Sequence, residues 1–121
     1  MKLLTKEIQQ KLPKLYSQEN EKDPLVVCKF FDPTGSWTWY AIEGSPVDAS
    51  GLYDTDREKV DFLFFGYVAG VEPELGYFSL SELEACKKGL TGLRALPIER
   101  DIFFTSRRLS EVKKEHESRG A

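Results

Sequence analysis

A chain of 121 residues is short enough to form one domain, residues 1–121, and long enough for a single modest core. Hydrophobic residues at 40% and charged residues at 31% place it among soluble globular sequences and exclude a disordered tract or a membrane bundle. The net charge of −3 is unevenly spread: residues 41–84 hold ten acids against two basic residues, and residues 85–121 hold nine basic residues against five acids. A solvated acidic loop followed by a basic C-terminal helix accounts for this asymmetry more simply than an electrostatic docking surface does.

The opening M-K-L-L-T-K-E carries only Leu3 and Leu4 together before charge returns, so no signal peptide or membrane contact is expected and the location predicted is cytoplasmic. Cys28 and Cys86 stand far apart and outside any C-x-x-C pattern, which predicts free thiols.

Thr5 is placed to cap a first helix from Lys6 to Leu12, with Ile8 and Leu12 on one face, and Pro13 ends it. The polar run Ser17 to Pro24 reads as a loop. Leu25 to Phe31 predicts a buried strand with Val26, Cys28 and Phe30 in the core and Lys29 on a wetter face. Asp32-Pro33-Thr34-Gly35 matches a type I turn position by position, so Ser36 to Glu43 should return as an antiparallel strand. There Trp37, Trp39 and Ala41 share one face, and Thr38, Tyr40 and Ile42 the other. Two tryptophans on one face are expected to be core, with a stacking platform for bases or sugars as the alternative.

Residues 44–59 read as a long acidic loop. Its Asp54-Thr55-Asp56 resembles a minimal divalent-metal pair, but two carboxylates in a flexible loop fall short of a site, and no metal is expected. Val60 to Val71 is apolar on both parities and predicts a central strand, with Gly66 and Gly70 marking a bulge or close packing. In E-P-E-L-G-Y-F, Pro73 and Gly76 suggest a turn and Tyr77 and Phe78 a buried pair. Ser79 with Glu82, or Ser81 with Glu84, has capping-box spacing for a helix running to about Lys88 and stopped by Gly89. After an apolar connector, Leu90 to Pro97, a short last strand is expected over Asp101 to Thr105. Residues 109–121 should form a peripheral helix and tail, because only Leu109 and Val112 are apolar. The fold class predicted is α+β: a mainly antiparallel sheet of four to five strands with two or three helices packed beside it.

The catalytic vocabulary is thin. His116 is the one histidine, expected to be solvated in the tail, so triads and histidine-based zinc sites lack their parts. No glycine-rich nucleotide loop occurs. Glu72 and Glu74 flank Pro73, and Glu99 and Asp101 flank Arg100; a buried acid pair could serve as general acid and base, but a solvated turn and ion-paired arginine are the simpler reading. Arg107, Arg108, Lys113 and Lys114 form a basic cluster without aromatics after Phe104, a poor start for nucleic-acid binding. No catalytic residue, cofactor or metal ligand is assigned. The residues singled out for binding are Trp37, Trp39, Glu72, Glu74, Arg107 and Arg108.

The opening K-L-L-T-K-E, the L-Y-S-Q-E-N-E-K-D-P segment, W-T-W-Y, E-P-E-L-G-Y-F-S-L-S-E-L and L-P-I-E-R-D together resemble domain-of-unknown-function family 2958, an uncharacterised bacterial family of plasmids, integrated elements and phages. The resemblance spans nearly the whole chain in order. It implies an accessory protein of mobile DNA and brings no assigned activity, ligand or catalytic residue. The leading expectation is therefore a small non-enzymatic protein acting through a protein partner. A single-stranded nucleic-acid binder using Trp37, Trp39 and the basic cluster, and a carboxylate-dependent hydrolase around Glu72, Glu74 and Asp101, are the alternatives.

Overall fold

The computed structural model describes residues 1–86 and 96–120, and it has an α+β architecture. The elements run α1 (Lys6–Lys11), β1 (Leu25–Val26), β2 (Cys28–Phe31), β3 (Thr38–Val47), β4 (Asp61–Ala69), β5 (Pro73–Ser79), α2 (Leu80–Ala85), β6 (Glu99–Arg100), β7 (Arg107–Arg108) and α3 (Leu109–Gly120). Five strands form an antiparallel sheet in the order β5-β4-β3-β2-β6, and β1 pairs with β7 in a small second sheet. The helix predicted to run to about Lys88 ends at Ala85, with Cys86 as its C-cap; Lys88 and Gly89, and most of the Leu90 to Pro97 connector, lie outside the described residues.

Local chemistry sets the ends of several elements as expected. The Thr5 side chain accepts from the Ile8 amide at 3.2 Å and opens α1. The Asp32 carboxylate accepts from Thr34 N at 2.9 Å inside the predicted turn, and the β2–β3 hairpin pairs Cys28 with Ala41 through Phe31 with Thr38. Ser79 caps α2, accepting from Glu82 N at 3.2 Å.

Both faces of the sheet are covered by apolar groups. On the first face Cys28, Phe30, Ala41, Phe62, Phe64 and Phe78 meet Leu3 and Leu4 of the N-terminal segment, Leu12 just past the end of α1, and Leu83 of α2. On the second face Tyr40, Ile42, Tyr67 and Ala69 meet Leu109 and Val112 of α3. Alternation along β3 therefore follows the predicted parity, with Trp39 against the first core and Tyr40 in the second.

Several expectations need correction. The strand predicted over 25–31 breaks at Val27, whose amide donates to Ala41 O at 2.8 Å; Val26 consequently joins the second core while Cys28 and Phe30 join the first. Lys29 is not on a wet face. It is buried, with its ammonium 3.7 Å from Asp101 and 5.7 Å from the Tyr40 ring centre. The acidic connection begins at Asp48 rather than Gly44, because Gly44 to Val47 continue β3 alongside β4. The E-P-E-L-G block is strand rather than turn: the chain reverses over residues 70–72, and Pro73 opens β5 at the sheet edge, where a missing N–H is tolerated. Phe78 is buried but Tyr77 is exposed. The segment 101–105 turns instead of forming a strand; β6 and β7 lie on either side of it.

Candidate functional site

Among the described residues a well-developed concavity lies on the second face, on the half that α3 leaves uncovered. It is a groove of about 440 Å³. Ile42, Phe65, Leu75 and Tyr77 form its floor, and Tyr16 and the following polar loop form one wall. Leu109 and Lys113 at the start of α3 form the other.

A bulge in β3 creates this geometry. Ala41 pairs with Gly66 and Glu43 with Phe65, so Ile42 is an extra residue without a partner on β4. The strand bends, and its backbone crowds β4. A β-carbon on Gly66 would sit 1.8 Å from the Tyr40 carbonyl oxygen, so glycine is the residue that admits the bulge. The bulge sends both Ile42 and Glu43 to the groove side. The Glu43 side chain is buried, and its two carboxylate oxygens accept from Tyr16 N at 2.9 Å and Gln18 N at 2.7 Å. Ser45 accepts from Leu15 N at 3.1 Å, and Gly44 N donates to Pro13 O at 2.9 Å. The loop after α1 is thereby stitched along β3.

Tyr16 is held at φ 69°, a left-handed conformation that is costly for a bulky side chain and is maintained by the stitching around it. Its ring lies 5.7 Å from Tyr53 and 6.2 Å from Tyr77, and Tyr77 is 5.0 Å from Phe65. The neighbouring Tyr16 phenol, then burial, pushes the Tyr77 hydroxyl up to about 12. The rim is charged by Glu19, Glu21, Lys22 and Lys113. The far end of the loop is fastened to α3: Asp23 accepts from Ser110 N at 2.8 Å and Ser110 Oγ at 2.6 Å, and these bonds lower its pKa.

The residues singled out from sequence lie elsewhere. Trp37 and Trp39 stack with ring centres 6.0 Å apart; Trp39 is partly buried against the first core, whereas Trp37 is 42% exposed. The Trp37 ring rests over Gly70, where a β-carbon would meet it at 2.4 Å, so the close packing expected at Gly70 is this one. Trp39 pairs with Val68, which pairs with Glu74, placing the tryptophans and the two glutamates at one end of the sheet. Glu72 and Glu74 are exposed. Asp101 follows β6 at the opposite edge and faces Lys29, so no cleft joins it to Glu72 and Glu74.

Arg107 and Arg108 are held by structural partners. Arg107 makes a two-pronged ion pair with Glu115, its Nε at 2.9 Å and Nη2 at 2.6 Å, and lies 4.5 Å over the Phe104 ring. That pairing raises the Arg107 pKa and lowers that of Glu115. Arg108 Nη1 donates to Asp23 O at 3.1 Å. Phe104 packs against the second core, so the arginine stacked on it and the tryptophan pair sit on opposite sides of the sheet.

His116 is not a solvated tail residue. Its Nδ1 lies 3.2 Å from the Tyr40 hydroxyl, and its ring meets Tyr40 and Tyr67 edge-on at 5.9 and 6.4 Å. Burial, then nearby Lys29 and Arg119, lower its pKa. The C-terminal helix is correspondingly less peripheral than its two apolar residues predict. Cys28 is a buried free thiol, pushed up to about 12 by burial and so unreactive, and Cys86 is free and exposed. Among the described residues no group of three or more His, Cys, Asp or Glu could hold a metal ion, Asp54 and Asp56 included.

Sequence reasoning missed the groove residues Tyr16, Glu43, Phe65, Leu75 and Tyr77. One signal for them was present: a glutamate inside the otherwise uncharged run from Thr38 to Val47, where a charge needs fixed partners.

Among the described residues no helix is long and apolar enough to cross a membrane. Searches of curated proteins and of solved structures returned no match to the chain. A family model does match, over residues 3–121, and its description is protein of unknown function, DUF2958. The chain belongs to the DUF2958 family.

Proposed function

We propose that this chain is a small non-enzymatic accessory protein of bacterial mobile genetic elements, working in the cytoplasm by binding another protein through the groove on the second face. The observation that carries the reading is the groove itself. Its floor leaves Leu75 and Tyr77 about half exposed, at 48% and 49%, and these join the exposed Tyr16 ring in one concave apolar surface rather than standing singly on turns. Tyrosines bring large rigid contact area with a polar tip, which suits a surface that must be wet when empty and dry when filled. The setting on mobile elements comes from the family resemblance of the sequence.

An affinity-tagged chain, expressed in a host that carries the element, tests this. The native chain should recover a specific protein in near-equal amount, and a Tyr77→Glu variant of unchanged fold should lose it. Recovery of no specific partner, or undiminished recovery by the variant, counts against the reading.

A single-stranded nucleic-acid role draws support from the Trp37–Trp39 stack, and its signature would be salt-dependent oligonucleotide binding. The hydrolase alternative draws none, since its acids lie at opposite edges of the sheet.

A further inference from the structure

Resting on the protein-binding reading, we propose that the outer edge of β5 takes an extended segment of the partner as an added strand, and that this segment alternates apolar side chains with lysine or arginine. β5 is the terminal strand of the sheet, and among the described residues only β4 pairs with it. Its seven residues pair with β4 from Pro73 opposite Ala69 to Ser79 opposite Leu63 with no register shift. The outer side of a regular strand presents a row of unpaired N–H and C=O groups, a template for another strand. Proteins commonly blunt such an edge with lysine, a bulge or a covering element. From Glu72 to Ser79 there is no lysine, and Pro73 blunts only the first position.

The two faces of β5 say what the added strand carries. Leu75 and Tyr77 point to the groove side, beside Phe65 and Tyr16, and call for apolar side chains on that face of the newcomer. Glu74 lies on the other face, in the cross-strand row of Val68 and Trp39. Val60 to Cys86 holds five acids, Asp61, Glu72, Glu74, Glu82 and Glu84, and no lysine or arginine. Basic side chains opposite Glu74 are therefore favoured and acidic ones repelled. A second copy of this chain is a poorer occupant, because its own β5 brings no lysine or arginine to Glu74.

Short synthetic peptides alternating valine with lysine, or valine with glutamate, test this on the full isotope-labelled chain at about 0.15 M salt. The lysine peptide should slow amide exchange along residues 74–79 and bind roughly tenfold or more tighter than the glutamate peptide. Glu74→Lys, at an exposed position, should erase or reverse that preference, and backbone N-methylation of the lysine peptide should abolish binding. Equal binding of the two peptides, or binding that leaves the β5 amides unprotected, would overturn the proposal, as would a dimer in sedimentation that Leu75→Lys dissolves. If the lysine peptide fails while a Tyr77-dependent partner is still recovered, the edge assignment alone is wrong. Failure of both experiments removes the protein-binding reading as well.

Discussion

On the first face of the sheet, phenylalanines pack against one another, with Phe64 at 4.9 Å from Phe62, 5.1 Å from Phe78 and 5.4 Å from Phe30, and helices close over them. On the second face the same strands present tyrosines, a buried glutamate and a lysine, and α3 closes only part of the surface. The centre of the first face is closed by packing of apolar groups, and at its margin Arg100, opposite Phe30, donates to Lys2 O and Leu3 O rather than pairing with a neighbouring acid. The second is finished by directed interactions: Tyr40 with His116, Lys29 with Asp101, and Glu43 with two backbone amides. Such interactions set positions without filling space, and they leave the groove open. On the proposed reading, the two faces of one sheet divide stability and recognition between them.

The contrast can be broken most severely on the first face. Phe64→Ala should cost about 3–5 kcal/mol in denaturant unfolding, because it removes a fully buried ring at the centre of the aromatic cluster. A loss below about 1 kcal/mol would mean that the first face is not the principal core.

Glu43→Ala should cost about 2–3 kcal/mol, through two amides left without their charged acceptor. Its distinguishing result is local: amide exchange at Tyr16 and Gln18 should accelerate far more than exchange in β4. Uniform acceleration would show that the carboxylate supports the whole fold rather than the groove wall.

A smaller effect comes from His116, whose pKa in the folded chain lies below the ordinary 6.5. The unfolded chain then binds the proton more readily, so this contribution is fully present above about pH 6.5 and is lost as pH falls toward the lower folded value. The native chain should lose stability across that window, and His116→Gln should flatten the slope there. An unchanged slope in the variant would assign the pH dependence to other groups.

Much of the first face was legible in the sequence because its causes are local. Thr5 and Ser79 carry their caps within three residues, the Asp32-Pro33-Thr34-Gly35 turn fixes the hairpin, and parity along β3 then assigns Trp39 and Tyr40 to opposite faces. The second face was not legible, because its determinants join distant residues. Glu43 reaches Tyr16 and Gln18, Lys29 depends on Asp101 for burial, and His116 meets Tyr40 across 76 positions of chain. A helix with two apolar residues looks peripheral until such partners are known. Pro73 and Gly76 misled for a different reason: both suit turns, yet an edge strand tolerates a proline at its first position and a glycine opposite Gly66.

The most direct test sets stability against recognition at one residue. Tyr77→Ala, at a position 49% exposed, should change unfolding free energy by about 1 kcal/mol or less while reducing recovery of the native chain's partner roughly tenfold or more. A variant that unfolds as readily as Phe64→Ala, or that keeps full recovery of the partner, would contradict the division of labour between the two faces.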